Sequence, residues 1–485
     1  MGAGRSLPRD AGRGDLRAAR RRARARRAAR PRSRRLLRPD PAARRHPPRA
    51  HDVRRDVRLD PPADERHGLR LASRVRRGVG RGAPVSVRLR ERGLRGVNSD
   101  VVVVGAGQAG LATSHELTQA GVDHVVLERG RVGETWRGRW DSFCLVTPNW
   151  TVRLPGGTYD GDDPDGFMPR DDIVAFLRRY AGSFDAPVRE GVAVTSVRPR
   201  AGGGFVLETS EGSLDASSVV LATGAYQRPH RPAAAATLPD DILRIDVEGY
   251  RNPDELPPGA VLIVGSGQSG CQIAEELHEA GRDVVLACGR VHWAPRRLAD
   301  RDLMWWLARL LANILATGHG GGHDIHFRTL QKLGITLAGH FVGAEGHRAR
   351  FAPDLHETVA WSDERHADVI DRFRKLAAER GIAVEMPELD PFDESAPEEA
   401  DLRGFGAVVF TTGFRPDYAS WVEIPGTFDE LGFPMHHECE SAAAPGVYFV
   451  GTHFLRKRKS SLLIGVGEDA AIVGGAIKEG QTQRV

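Results

Sequence analysis

Two short glycine-rich segments carry the clearest chemistry in this 485-residue sequence. Each has the form Gly-x-Gly-x-x-Gly, the first at 105–110 and the second at 265–270. In this spacing the first glycine permits a tight turn, the second lets an anion approach the backbone, and the third lets a helix pack on a strand. A helix beginning at such a turn offers free N–H groups and the positive end of its dipole to a pyrophosphate. We expect pyrophosphate contacts from Gly105, Gly107, Gln108, Ala109 and Gly110 in the first segment, and from Gly265, Gly267, Gln268, Ser269 and Gly270 in the second.

The elements that must position these glycines are repeated as well. Residues 101–121 and 261–281 align without a gap, and ten of their 21 positions are identical. In each copy a four-residue run of Val, Leu or Ile precedes the glycines, which indicates a buried parallel strand, and an amphipathic stretch follows them. A second apolar strand ends each copy. A lone Gly-x-Gly-x-x-Gly is weak evidence, but this context in both copies predicts two dinucleotide-binding domains.

The residues that end the second strand of each copy distinguish the two dinucleotides. The first copy has Glu128 there, and its carboxylate can accept hydrogen bonds from both hydroxyls of a ribose. The second copy reads Ala-Cys-Gly-Arg, so a ribose 2′-phosphate would meet no acidic repulsion and could pair with Arg290. We therefore predict FAD at the first site, with Arg129 beside it, and NADPH at the second. Arg290 has a counterpart in Arg131 and could instead be structural, while Arg297 either assists Arg290 or is solvated.

Two further segments repeat a strand-to-loop joint. One apolar strand runs into Ala-Thr-Gly at 222–224, and another runs into Thr-Thr-Gly at 411–413. A glycine in this place lets the chain turn sharply at the end of a strand. The residues that we expect beside the dinucleotides at these joints are Thr223, Gly224, Thr412 and Gly413.

Together these motifs resemble the flavin-containing monooxygenase-like oxidoreductases, including bacterial flavoproteins connected with potassium transport and the plant YUCCA-type enzymes. The resemblance covers residues 100–478. It implies an α/β fold with two Rossmann-like dinucleotide-binding domains, the NADPH domain being inserted into the FAD domain. Besides the glycine segments, it rests on GETWRGRWD (133–141), LVTP (145–148), YRNP (250–253), TGFRP (412–416), YFVG (448–451) and GVGEDA (465–470).

The resemblance also implies domain limits and further site residues. The FAD domain is expected at 97–235 and 401–485, with the NADPH domain at 236–400. Trp136, Arg139 and Trp140 are expected to stack on or pair with the adenosine part of FAD, or one of the two tryptophans packs in the core. Gly451 is expected to contact FAD. Asp469 either meets the flavin side of FAD or caps the last helix.

The resemblance implies a reaction in which NADPH reduces FAD and molecular oxygen then forms a flavin C4a-hydroperoxide. This species would oxygenate a small substrate at nitrogen, sulfur or a carbonyl. Asn149 is the candidate catalytic residue, as a side-chain amide that holds the flavin adduct; the alternative is a turn residue after Pro148. The rival functions are an NADPH-dependent flavin reductase or oxidase that releases peroxide, and a redox-sensing regulatory flavoprotein.

One motif departs from the family pattern. Between the two sites the family has Phe, Gly and His at spacings that, counted back from Tyr250, fall on Asp240, Ile242 and Asp246. The histidine is therefore replaced by an aspartate. This departure leaves the monooxygenase subtype open.

Composition and spacing exclude several classes of protein. The four cysteines are scattered without a C-x-x-C pair, which argues against a zinc site and a disulfide reductase and fits a reducing cytoplasm. His319 and His323 flank three glycines, which favours a flexible loop over a metal site. No run of 18 apolar residues is present, so no membrane span is expected. The expected partners are a small substrate and molecular oxygen, and a homodimer is compatible with the sequence.

The first 96 residues differ sharply in composition from the rest. They contain 31 Arg against 9 Asp and Glu, a charge of +22, so the other residues carry −17 of the total of +5. An acidic body argues against nucleic acid as its partner. A segment with so little bulky apolar content cannot offset the entropy of ordering, so we expect it to be disordered. We predict that it is a gene-model extension and that the protein starts near Val97; a solvated basic arm and a targeting peptide are the alternatives.

Overall fold

The computed structural model describes residues 100–224, 226–307, 314–385, 388–393 and 395–482. The Arg-rich segment and the expected start near Val97 lie outside these residues. The helices are α1 Gln108–Ala120, α2 Glu134–Arg137, α3 Arg170–Ser183, α4 Gln268–Glu279, α5 Leu303–Leu307, α6 Phe327–Leu333, α7 Leu355–Ala378 and α8 Val466–Thr482. The strands are β1 Val101–Val104, β2 His124–Glu128, β3 Arg153–Leu154, β4 Gly157–Thr158, β5 Val188–Glu190, β6 Val194–Pro199, β7 Phe205–Thr209, β8 Gly212–Ala216, β9 Ser218–Leu221, β10 Arg228–Pro229, β11 Leu243–Asp246, β12 Ala260–Val264, β13 Val284–Ala287, β14 His292–Trp293, β15 Arg297–Leu298, β16 Arg301–Asp302, β17 Ile314–Leu315, β18 Thr336–Ala338, β19 Phe341–Glu345, β20 Arg348–Phe351, β21 Glu399–Asp401, β22 Phe405–Phe410, β23 Phe414–Arg415, β24 His436–His437, β25 Glu440–Ser441 and β26 Val447–Phe449.

The first sheet has seven strands in the order β24-β25-β26-β9-β1-β2-β5. Strand β1 lies inside the sheet and pairs in parallel with β2 on one side and β9 on the other. All four of its valines are buried, in a core that also contains residues of α1, α8 and β7. The predicted strand–turn–helix–strand unit at the first glycine segment is therefore present, as β1, α1 and β2.

The second sheet repeats this arrangement in the order β11-β22-β12-β13-β18, with every pair parallel. Strand β22 lies between β11 and β12, and its last five residues are buried. The pairing of β22 with β11 and β12 carries this sheet beyond residue 400, the predicted limit of the second domain. One wholly parallel sheet and one with five parallel strands out of seven, both packed against helices, confirm the predicted α/β class.

The chain crosses between the two sheets twice. The outgoing crossing follows β9 and the returning one follows β22, and short strands on them, β10 and β23, pair with each other in antiparallel fashion. Two smaller antiparallel sheets, β6-β7-β8 and β19-β20-β21, complete the two units. The C-terminal edges of both parallel sheets therefore lead directly into the junction between them.

A buried tryptophan between two histidines ties α6 and α7 to the second unit. The Trp293 ring stacks on His366 at 3.7 Å between centroids and lies 4.0 Å from His326. Burial lowers the pKa of both imidazoles, and that of His326 falls to about 4. Both rings are therefore neutral in the folded protein near pH 7.

Because His326 and His366 are neutral in the folded protein, we expect the free energy of unfolding to fall as the pH falls. Between pH 6.5 and 4 the unfolded chain binds a proton at His326 that the folded chain does not, so folding loses up to about 3 kcal/mol across this range. Urea unfolding at pH 7, 6 and 5 measures the loss, and His326→Gln should reduce it. His437→Gln, at an exposed position, is the matched control; equal slopes in both variants would contradict the prediction.

Candidate functional site

In the first glycine segment, two glycines are required by close backbone contacts, and the third has free space in front of it. Gly105 has φ of +106°, and a Cβ there would lie 2.8 Å from the Ala222 carbonyl oxygen. A Cβ on Gly110 would lie 1.8 Å from the Gly105 carbonyl oxygen. A Cβ on Gly107, in contrast, would have no atom within 4 Å. The space in front of Gly107, at the start of α1, is therefore free for a ligand.

The second glycine segment has the same geometry. Gly265 has φ of +107°, and its Cβ would lie 3.0 Å from the Thr411 carbonyl oxygen. A Cβ on Gly270 would lie 1.9 Å from the Gly265 carbonyl oxygen, whereas one on Gly267 would meet nothing within 4 Å. The two repeats thus form two equivalent cradles at the N-termini of α1 and α4.

The first cradle opens into a cavity of about 580 Å³. The cavity follows the C-terminal edge of the first sheet and reaches Glu248 and Arg251 of the second unit. The sequence-predicted residues that line it are Gly105, Gly107, Gln108, Ala109, Glu128, Arg129, Arg139, Thr223, Gly224 and Gly451.

Glu128 is held at one end of this cavity. It is the last residue of β2 and is 8% exposed. Its Oε2 accepts a hydrogen bond from the Ala106 N–H at 2.7 Å, and its Oε1 accepts one from the Gly130 N–H at 2.9 Å. Two backbone donors therefore fix the carboxylate beside the glycine turn, with further lone pairs available to a ribose.

Arg139 brings an unpartnered donor to the same cavity. Its Nε is buried and has no hydrogen-bond partner among the described residues. Its guanidinium lies 5.1 Å from the centre of the Tyr226 ring, and burial lowers its pKa. A buried donor left without a partner is costly, so this group fits an anionic or carbonyl-bearing ligand.

The two tryptophans near Arg139 have different positions. Trp136 lies outside the cavity lining, and its Nε1 donates to Gln108 Oε1 at 2.9 Å. Trp140 is 2% exposed and packs edge-to-face on Phe143 within the hydrophobic core of the second unit. Trp140 therefore has the packing role that was the alternative to adenosine stacking.

Asn149, the candidate catalytic residue, is held by two hydrogen bonds to the backbone. It is 5% exposed and does not line the cavity. Its Nδ2 donates to the Asp163 carbonyl oxygen at 2.9 Å, and its Oδ1 accepts from the Met168 N–H at 2.7 Å. Both ends of the amide hold the 163–168 loop, a contact that agrees with the turn alternative, and the catalytic role stays a prediction.

Asp469 does not cap the last helix, and its contact with the flavin stays a prediction. It lies in the first turn of α8 and not at the N-cap, and it is 1% exposed. Its Oδ1 accepts from Arg456 at 3.0 Å, and it is absent from the cavity lining. This buried ion pair joins α8 to the basic loop at 456–459.

The second cradle is bordered by charged and aromatic groups. The Gln268 amide is clasped by the backbone of Ala316, to which its Nε2 donates and from which its Oε1 accepts at 3.0 Å. Arg290 is exposed, and its guanidinium lies 5.9 Å from the centre of the Trp361 ring. Arg297 is exposed and donates to the Gly321 carbonyl oxygen at 3.3 Å.

The remaining predicted residues of the second site support the backbone. Ser269 is the second residue of α4. Thr412 Oγ1 donates to the His230 carbonyl oxygen, and the His230 N–H donates to the Gly413 carbonyl oxygen at 2.9 Å. Thr412 and Gly413 therefore brace the crossing between the units and do not line the cavity.

Several lining residues were not found from the sequence. Tyr226 and Phe414 follow the two Thr-Gly joints, and their rings meet edge-on at 5.2 Å between centroids. His453 follows Gly451, and Glu248 and Arg251 flank Tyr250. The only signal in the sequence was the aromatic after each Thr-Gly, because the crossings, and not any motif, bring these groups together.

Among the described residues, no group of three or more His, Cys, Asp or Glu could hold a metal ion. His319 and His323 instead bind Glu279 and Glu275 on α4, at 3.0 and 2.6 Å. In the same part of the chain no helix is long and apolar enough to cross a membrane.

The comparisons with known proteins agree with this geometry. The family described as "Pyridine nucleotide-disulphide oxidoreductase" matches residues 102–330. An uncharacterized CzcO-like oxidoreductase from Geobacillus kaustophilus is 31% identical over 373 residues, which cover 76% of this chain and 96% of the relative. The indole-3-pyruvate monooxygenase YUCCA4 of Oryza sativa is 27% identical, over 72% of this chain and 82% of its own.

Among solved structures, the flavin-containing monooxygenase from Stenotrophomonas maltophilia has the same fold. The TM-score is 0.59 at 19% sequence identity, and the match covers 79% of this chain and 99% of that one. The sequence identity to the bacterial relative over nearly its whole length establishes the family. The chain belongs to the CzcO-like oxidoreductases, a flavin monooxygenase-like branch of the pyridine nucleotide-disulphide oxidoreductases.

Proposed function

We propose that this protein is an FAD- and NADPH-dependent monooxygenase that inserts an oxygen atom into a small organic substrate. The observation that carries the proposal is the pair of equivalent cradles, each with one unobstructed glycine at a helix N-terminus. Two dinucleotides bound in this way, one on each sheet, are what hydride transfer from NADPH to FAD needs.

The residues of the first cradle fit FAD. Gly107 leaves room for the pyrophosphate, and the fixed carboxylate of Glu128 can accept hydrogen bonds from the adenosine ribose. The Nε of Arg139, which has no partner among the described residues, can donate a hydrogen bond to the ligand. When bound, FAD supplies electron transfer from a reduced nicotinamide to molecular oxygen. The protein has to hold the ligand, and the Tyr226 and Phe414 rings line the cavity where the two units meet.

The cysteines support oxygen chemistry over disulfide reduction. All four are free, and none lines the cavity among the described residues. Burial raises the pKa of the Cys271 and Cys288 thiols, which keeps them protonated. A dithiol reductase needs an accessible thiolate beside the flavin.

The two open glycines provide a matched pair of variants. Gly107→Ala should fold normally, because φ of −80° suits alanine and the added methyl meets no atom, yet it should weaken FAD binding tenfold or more, by about 1.4 kcal/mol. Gly267→Ala, with φ of −69°, should weaken NADPH binding and leave FAD binding unchanged. Titration of each variant with each ligand by calorimetry measures both affinities.

Each variant controls for the other. Loss of both affinities in a single variant would indicate a folding defect, which circular dichroism would detect. Unchanged FAD affinity in Gly107→Ala would mean that the first cradle does not hold the FAD pyrophosphate.

The preference for NADPH over NADH is tested at Arg290. No carboxylate is paired with this exposed guanidinium among the described residues, and the half-buried Trp361 ring beside it offers an aromatic face to adenine. Arg290→Ala should weaken the binding of adenosine 2′,5′-bisphosphate about tenfold and leave NAD⁺ binding unchanged. Arg297→Ala should have a smaller effect, since Arg297 already donates to Gly321. Equal losses for both ligands would remove Arg290 from phosphate recognition.

Oxygen insertion is distinguished from peroxide release by following the electrons. The FAD-loaded protein is supplied with NADPH, ¹⁸O₂ and a panel of thioethers, amines and ketones. We expect at least one substrate to acquire ¹⁸O while peroxide falls below the amount of NADPH consumed. Recovery of all electrons as peroxide with every substrate would favour the oxidase alternative.

A further inference from the structure

The order of the strands determines which residues lie on each side of the first cavity. Four neighbouring strands, β26, β9, β1 and β2, present their C-terminal ends to it. Glu128 ends β2, on one side of the central glycine turn. His453 follows β26, four residues after its end, and β26 lies on the other side, three strand spacings or about 14 Å from β2.

If the proposed function is right, the adenosine half and the flavin half of FAD lie on opposite sides of the glycine turn. The pyrophosphate lies at the turn after β1, and the adenosine ribose lies at Glu128. The flavin half must then extend past Thr223 and Gly224, at the end of β9, towards the loop that follows β26.

The backbone that carries His453 is firmly held. Gly451 has φ of +83°, and a Cβ there would lie 2.5 Å from the Ala109 Cβ, so the chain passes directly against the start of α1. Thr452 is 1% exposed, and its Oγ1 lies 3.1 Å from the Tyr418 hydroxyl, which donates to the Gly224 carbonyl oxygen. The imidazole therefore projects from a position that the cradle itself fixes.

One of the two ring nitrogens of His453 already has a hydrogen-bond partner. His453 Nδ1 lies 2.7 Å from Ser461 Oγ, and the Ser461 carbonyl oxygen accepts from Gln108 Nε2 at 3.1 Å. The Nε2 atom has no hydrogen-bond partner in the part of the chain that the structure describes. Because His453 lines the cavity, this nitrogen is left for whatever the cavity holds.

The ring carries no charge near pH 7. Burial lowers the pKa of His453, and no acidic group among the described residues counters this shift. Its nearest aromatic neighbour is Tyr226, whose ring meets it edge-on at 4.8 Å, and Arg139 lies beyond that ring. A neutral imidazole suits a neutral heterocycle better than it suits a phosphate.

We propose that His453 binds the flavin half of FAD through a hydrogen bond at Nε2, and that Ser461 is the positioning residue that orients its ring. Nothing in the motifs of the sequence marks either residue. The assignment deepens the proposed function, since it presupposes FAD in the first cradle.

Two substitutions of His453 distinguish the roles of its two ring nitrogens. The amide of His453→Asn ends near Nδ1, so it keeps the Ser461 contact and loses the contact with the cavity. The longer His453→Gln reaches the Nε2 position. With the full chain freed of flavin, we expect His453→Asn to weaken FAD binding about tenfold and His453→Gln to retain most of the affinity.

ADP serves as the probe of the other end, because it contains the adenosine and the pyrophosphate without the flavin. Its affinity should stay within about twofold of the wild-type value in both variants. Ser461→Ala should shift the visible absorption bands of bound FAD, and Ser461→Thr, which keeps the hydroxyl, should restore them.

The outcomes distinguish this inference from the proposed function. Equal losses of FAD and ADP affinity, or unchanged FAD affinity in His453→Asn, would overturn the assignment of His453 alone. Bands that do not move in Ser461→Ala would overturn the positioning role. A wild-type protein that binds neither FAD nor ADP would overturn the proposed function and this assignment with it.

Discussion

The fold depends on one close backbone contact that occurs twice. At Gly110 and at Gly270 a helix passes so near the preceding turn that an added Cβ would lie 1.8 or 1.9 Å from a carbonyl oxygen. Only glycine permits this approach, and the approach places the helix N-terminus directly in front of the open glycine. The cradle is therefore a consequence of how tightly helix and strand pack, and not a feature added to them.

A second constraint links each cradle to the rest of its sheet. The last residue of β9 pairs with Val104, and the last residue of β22 pairs with Val264, so each Thr-Gly joint lies beside a glycine turn. The same joints begin the two crossings between the units. The contacts that shape the cradles thus also place Tyr226 and Phe414 in the junction, where two dinucleotides would meet.

The sequence predicts local features well where the physical cause is local. The glycine turns, β1, β12 and the acidic end of β2 follow from spacing and burial over a few residues. The contacts that the sequence did not predict depend on partners more than ten residues away. Asn149 is held by a loop whose backbone offers both a donor and an acceptor, and Asp469 is neutralised by Arg456.

The same reason explains the missed boundary and the missed residue. Strand β22 reads like any apolar strand, and only its pairing with both β11 and β12 assigns it to the second unit. His453 lies in no recognisable motif, because its position results from the order of strands and from Ser461. Long-range pairing is information that a local pattern does not contain.

The position of Trp140 limits how the two units can move relative to each other. It belongs to the chain of the first unit, yet its ring is buried in the core of the second. Next to it the Asp141 N–H donates to the Arg251 carbonyl oxygen at 2.8 Å, and Asn252 Nδ2 donates to Asp141 Oδ2 at 2.8 Å. Turning one unit against the other would withdraw an indole into water at a cost of several kcal/mol. The junction between the two units is therefore held in one shape, and under the proposed function a bound dinucleotide, rather than a whole unit, would have to change position there.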